Sequence, residues 1–157
     1  MRRFGYAVAG VVSVGIIWIG TQYLLEPGAV AGSFGVPVPP PDTDPFLRVK
    51  GIRDVASGLV VLALLATRQP RIVAIGLLAE AVIPVGDAAI VLASGGSPVT
   101  AFGVHGATAA TMVAGAAALL RSSRRAGEPD RRPGTRKDRS PSATRPASAA
   151  GAAAAAR

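Results

Sequence analysis

Five ionisable residues, Arg53, Asp54, Glu80, Asp87 and His105, fall inside stretches that are otherwise apolar enough to cross a lipid bilayer. A charge held at mid-bilayer costs from about 3 to more than 10 kcal/mol, so such groups pair inside a bundle or line a polar path rather than face lipid. Their types suit binding a small polar group, carrying a proton, or acid–base catalysis by His105 with Asp87. Arg53 is the one positive charge in the set against three carboxyls and an imidazole, and all of them cannot be ionised cheaply in a dry interior. Arg53 is therefore expected to pair with Asp87 or Asp54. His105 is the sole histidine and there is no cysteine, which disfavours zinc and removes thiolate ligands, disulfides and a cysteine nucleophile. No metal or cofactor is expected.

The elements that carry these residues follow from composition. Half of the 157 residues are hydrophobic, 17% are charged, and mean hydropathy is positive, a balance that belongs to membrane proteins. Crossing the hydrocarbon takes about 20 apolar residues. Residues 4–25 supply such a run without one Asp, Glu, Lys or Arg, and further apolar runs occupy about 51–67, 72–92 and 99–120. Arg68-Gln69-Pro70 separates the second from the third, and Ser94 to Pro98 separates the third from the fourth. The expected fold is all-α, a four-helix transmembrane bundle over 1–120 followed by a disordered basic tail over 121–157. A cleaved secretory signal is the rival reading of the N-terminus, since Arg2 and Arg3 precede the first run and Ala29-Val30-Ala31 resembles a cleavage site. That run is longer than a signal core, and losing it would leave three spans with their ends on opposite sides.

Four spans put both ends on one side. Arg2 and Arg3, Arg68 and Arg71, and Arg121, Arg124 and Arg125 then share that side, and the bias of Lys and Arg toward the cytoplasm makes it the inner one. The chain is expected in a bacterial cytoplasmic (inner) membrane as a multi-pass protein with both termini cytoplasmic. Val36 to Pro41 and Pro45 favour an extended connection in the first outer loop, and the apolar stretch 29–38 with Phe34 is expected to pack at the interface rather than act as a binding lid. The tail holds ten Lys and Arg against three Asp and Glu, a net of +7, with too little apolar surface to fold alone. Its expected partner is anionic lipid headgroups at the membrane surface, at about 1 kcal/mol per basic residue. With no aromatics to stack bases, nucleic acid is not expected.

A helical rise of about 1.5 Å per residue places Arg53, Asp54, Asp87 and His105 in one outer-half layer with Glu80 near the midplane. Pro84 lies between Glu80 and Asp87, and its missing amide hydrogen frees the Glu80 carbonyl and predicts a kink. The bland reading is that the five residues only hold helices together, with Arg53 and Asp54 reaching up to the interface. In the last span, Gly103-Ala107-Thr111-Gly115 and Gly106-Ala110-Ala114-Ala118 form two small-residue ridges, one for the bundle and one able to serve a homodimer.

At Phe34-Gly35, Lys50-Gly51-Ile52-Arg53-Asp54 with Gly58, Asp87 and His105-Gly106, the chain resembles the small four-span bacterial membrane proteins grouped as domain of unknown function 4267. More distantly it is similar to the DoxX-like four-helix membrane proteins. The resemblance covers roughly 4–120; it implies topology and marks positions, and it supplies no activity. Glu80 is less clearly part of that pattern. The reading that results is an inner-membrane component, structural or small-ligand-binding and more in keeping with a non-enzyme. A proton-coupled transporter using Glu80 or Asp87 is the alternative, and an intramembrane acid–base enzyme is third.

Overall fold

A computed structural model describes residues 1–37 and 43–126, and among them every regular element is helical. The elements are α1 (Arg2–Leu25), α2 (Pro27–Ala31), a 3-10 turn (Gly32–Phe34), α3 (Asp44–Ala66), α4 (Pro70–Glu80), α5 (Val82–Ala93), α6 (Pro98–Thr100), a π-helical segment (Ala101–Gly106) and α7 (Ala107–Ala126). Three rods are long and apolar enough to cross a membrane: α1, α4 with α5, and α6 through to Arg124. This gives the chain the character of an integral membrane protein. At 23 residues α3 is comparable in length, but Lys50, Arg53 and Asp54 interrupt its apolar run.

Element boundaries correct the sequence reading in three places. The second long helix starts at Asp44 rather than near 51, because Pro45 occupies its first turn, where the lost amide hydrogen has no intrahelical partner and the fixed φ suits a helix. The last helix runs on to Ala126 rather than ending at Leu120, so the tail begins as helix; residues 127–157, with the expected disorder, lie outside the described residues, as do 38–42 of the proline-rich loop. Third, the short helix α2 forms at Pro27, again with proline in the first turn. The helix is interrupted where a kink is expected: α4 ends at Glu80 and α5 begins at Val82, and the Glu80 carbonyl is the one to which Pro84 has no amide hydrogen to give.

Packing is closest between α1 and α3, which run antiparallel with Gly20 opposite Gly51 and Gly58 opposite Ser13. A Cβ at Gly20 would sit 2.6 Å from the Gly51 carbonyl oxygen, and one at Gly58 would sit 2.7 Å from that of Ser13. Only glycine lets the two backbones approach so far, the usual device where lipid gives helices little apolar drive to associate. α7 is antiparallel to α1 as well, Gly5 against Leu119 and Val8 against Gly115, and the Tyr6 hydroxyl donates to the Arg68 carbonyl at 2.8 Å. These contacts bring the start of α1, the α3–α4 turn and the end of α7 to one end of the molecule. Above that end lies an apolar core of Ala9, Val61, Val73, Ala74, Leu77, Met112, Ala116 and Leu119. Val11, Val14, Trp18, Leu59, Ile75, Val85, Ile90, Phe102 and Val113 all face outward and exposed. Large apolar side chains left exposed along the rods are the arrangement lipid selects, and water does not.

Candidate functional site

The end of the molecule opposite the apolar core is polar inside. Lys50 and Asp54 are one helical turn apart on α3, so their side chains meet, and Lys50 Nζ lies 2.6 Å from Asp54 Oδ2. Asp54 is buried, its side chain 12% exposed. The Lys50 ammonium also sits over two rings, 4.6 Å from the centroid of Tyr23 and 5.1 Å from that of Phe34, a cation–π arrangement that holds the charge in place without water. Tyr23 comes from the last turns of α1 and is itself buried.

His105 is placed by the π-helical segment, whose wider turn carries one extra residue into the helix and turns that residue inward. Its ring meets Phe34 edge-on, centroids 4.8 Å apart, and its Nε2 lies 3.1 Å from the Phe34 carbonyl oxygen. A carbonyl only accepts, so Nε2 carries the hydrogen of this bond. Nδ1 faces Asp87 of α5, 3.8 Å from Oδ2. The segment bearing Phe34 is fixed at a second point: Gly35 takes a left-handed φ of 96°, and its carbonyl accepts from the Ser97 amide at 2.9 Å. A Cβ at Gly96 would collide with the Gly35 carbonyl oxygen at this crossing and would also lie 2.8 Å from the Val91 carbonyl oxygen. Phe34 thus lines the site and does not merely pack at the interface as its apolar surroundings suggested.

Together these groups bound a cavity of about 360 Å³ lined by Tyr23, Phe34, Lys50, Asp54, Asp87 and His105 at its polar side and by Ile16, Ile19, Ile83, Pro84 and Val104 at its apolar side. A groove along the outer face of α3 adjoins it, lined by Phe46, Val49, Lys50, Arg53, Asp54, Ile83 and Asp87. Of the five residues singled out from sequence, the fold brings Asp54, Asp87 and His105 to the cavity. Arg53 stands one wall away in the groove and is exposed. The expected pairing of Arg53 with an aspartate is corrected: Lys50 takes Asp54, and Asp87 faces His105. One residue of helix rotates the side chain by about 100°, so Arg53 cannot share the inward face with Asp54, whereas the residue four back does.

Glu80 lies apart, at the end of α4, where the Ser57 hydroxyl donates to its carboxylate beside Ser13, Gly58 and Met112. The residues missed from sequence are Lys50, Tyr23 and Ser57. Lys50 was legible in principle as the i, i+4 partner of Asp54; nothing local marks Tyr23 or Ser57. Among the described residues no three His, Asp or Glu side chains come together as a metal site.

The family model described as Domain of unknown function (DUF4267) matches residues 13–120. The chain belongs to that family. The matched region contains every residue that lines the cavity, among them Phe34, Lys50, Asp54, Asp87 and His105. No curated protein and no solved structure matches the chain.

Proposed function

We propose that this DUF4267 protein binds a small amphiphilic molecule drawn from the bilayer, as a four-span component of a bacterial cytoplasmic membrane with α3 as the fourth span. The observation that carries the reading is the cavity itself: a concave space with apolar walls and a few convergent polar groups is the general form of a small-molecule site. Its polar side draws on α1 through Tyr23, on the Phe34 segment, on α3, on α5 and on the π-helical segment, and α3 and α5 bring charged side chains, Lys50, Asp54 and Asp87, to that one point, where partly buried charge is costly unless it is used or paired. A purely structural cluster would close over itself; this one leaves room.

The test is cavity filling. Thr108 lines the space, whereas Val113 faces outward. Protein purified in mild detergent is expected to retain a small apolar molecule detectable by native mass spectrometry, to lose it in Thr108→Phe, and to keep it in Val113→Phe. Equal occupancy in the two variants would overturn the reading.

Glu80 supports a second reading, proton-coupled transport. It is a mid-span carboxyl bonded to a hydroxyl and placed at a helix interruption, the kind of site at which discontinuous helices of transporters hold coupling ions. Proteoliposomes carrying Glu80→Gln are expected to lose proton-driven uptake under this reading and to be indistinguishable from wild type if the protein only binds.

A further inference from the structure

Two hydrogen-bond acceptors face each other across the cavity. The single hydrogen of a neutral imidazole at His105 is committed to the Phe34 carbonyl through Nε2, so Nδ1 presents a bare lone pair, and the Asp87 carboxylate 3.8 Å away presents more. At 3.8 Å no direct hydrogen bond links them. Points about 2.8 Å from both atoms exist, since spheres of that radius around them intersect, and an atom at such a point can donate to either. The space between them asks for a donor.

Charge narrows the donor further. Lys50 and Arg53 balance Asp54 and Asp87 across the cavity and the groove that shares its wall, so the polar groups are neutral as a set while His105 is neutral. An ammonium head would meet Lys50, whose own ammonium already occupies the faces of Tyr23 and Phe34. A carboxylate head would meet Asp87 and the lone pair of Nδ1. A hydroxyl meets neither objection: it donates to the Asp87–His105 gap and can accept from Lys50, which lines the same cavity.

We propose that the cavity takes an uncharged apolar alcohol, its O–H given to the Asp87–His105 gap and its hydrocarbon body laid against Ile16, Ile19, Ile83 and Val104. This rests on the amphiphile-binding reading above and names the headgroup that reading leaves open. Tyr23 from α1, Lys50 and Asp54 from α3, and Asp87 from α5 are the titratable or charged groups that line the cavity with His105, and Asp87 Oδ2 lies 3.8 Å from its Nδ1.

The experiment uses full-length protein in detergent and tritiated 1-decanol, read by scintillation proximity, with decyl methyl ether, decylamine and decanoate as competitors. Decanol is expected to outcompete the ether by about tenfold or more, the worth of one hydrogen bond to a charged acceptor. Asp87→Leu and, separately, His105→Leu are each expected to reduce the alcohol-to-ether ratio toward one while ether binding persists, which also shows that the variant is folded. Equal binding of alcohol and ether in the wild type overturns the headgroup assignment and leaves the cavity reading standing. Preference for decylamine overturns it in favour of a cation site. Failure of all four probes to bind, with Thr108→Phe unchanged from wild type in the native mass spectrum, overturns both.

Discussion

At the scale of single residues, position on a helix decides which basic side chain serves the site. Lys50 and Arg53 lie within one turn of α3, yet Lys50 is inward, paired with Asp54 and stacked between Tyr23 and Phe34, while Arg53 is exposed in the outer groove. Removing the cation from a buried carboxylate leaves that charge desolvated without compensation, which costs about 1 to 3 kcal/mol. Lys50→Met is accordingly expected to lower the thermal midpoint in detergent by that equivalent, and Arg53→Met to change it by no more than about 0.5 kcal/mol, as for other exposed positions. The double variant Lys50→Met/Asp54→Leu should recover most of the loss, because replacing both members of a buried pair by apolar groups is close to neutral. The pairing assigned here fails if Arg53→Met proves the more damaging single change.

At the scale of elements, the glycines divide into those that set helix spacing and those that do not. Gly20, Gly51 and Gly58 hold α1 against α3, and any side chain there would meet backbone of the other helix. Gly10 and Gly15 lie on the same α1 with nothing near a would-be Cβ. Gly58→Ala is expected to destabilise by about 1 to 3 kcal/mol through overpacking, and Gly10→Ala to be neutral or mildly stabilising, by up to about 1 kcal/mol, from helix propensity alone; thermal unfolding of the two variants side by side is the measurement. The same elements show what the sequence could and could not reveal. The apolar runs and their Gly and Pro punctuation marked four spans, of which three stand as rods long and apolar enough to cross, and Pro84 gave the break after Glu80, because hydropathy and a missing amide hydrogen act locally. Depth counting brought Asp54, Asp87 and His105 to one layer for the same reason, a fixed rise per residue. Rotation about each helix axis is not local: it depends on which side chains the neighbouring helix accepts. That is why Arg53 was given the role Lys50 fills, and why Tyr23 and Ser57 were not seen. The π-helical turn that points His105 inward is a further rotation that no hydropathy count contains.

At the scale of the whole molecule, the two ends differ in kind, and the difference makes the proposed orientation testable. The start of α1, the α3–α4 turn and the end of α7 meet at one end, bringing Arg2, Arg3, Arg68, Arg71, Arg121 and Arg124 together there. The other end carries the Phe34 segment, the α5–α6 turn and the mouth of the cavity. Basic residues in short flanks are retained on the cytoplasmic side, so under the proposed topology the cavity is expected in the half of the bilayer away from the cytoplasm. The chain has no cysteine, which makes single-cysteine labelling clean. Ser94 in the α5–α6 turn and Gln69 in the α3–α4 turn are both exposed. In intact cells Ser94→Cys is expected to react with a membrane-impermeant maleimide, and Gln69→Cys only after the membrane is opened. The reverse pattern would overturn this threading, either by turning the cavity toward the cytoplasm or because α3, which returns the chain from the Phe34 segment to Gln69, does not cross; labelling of both from outside would mean that the α4–α5 rod between them does not cross.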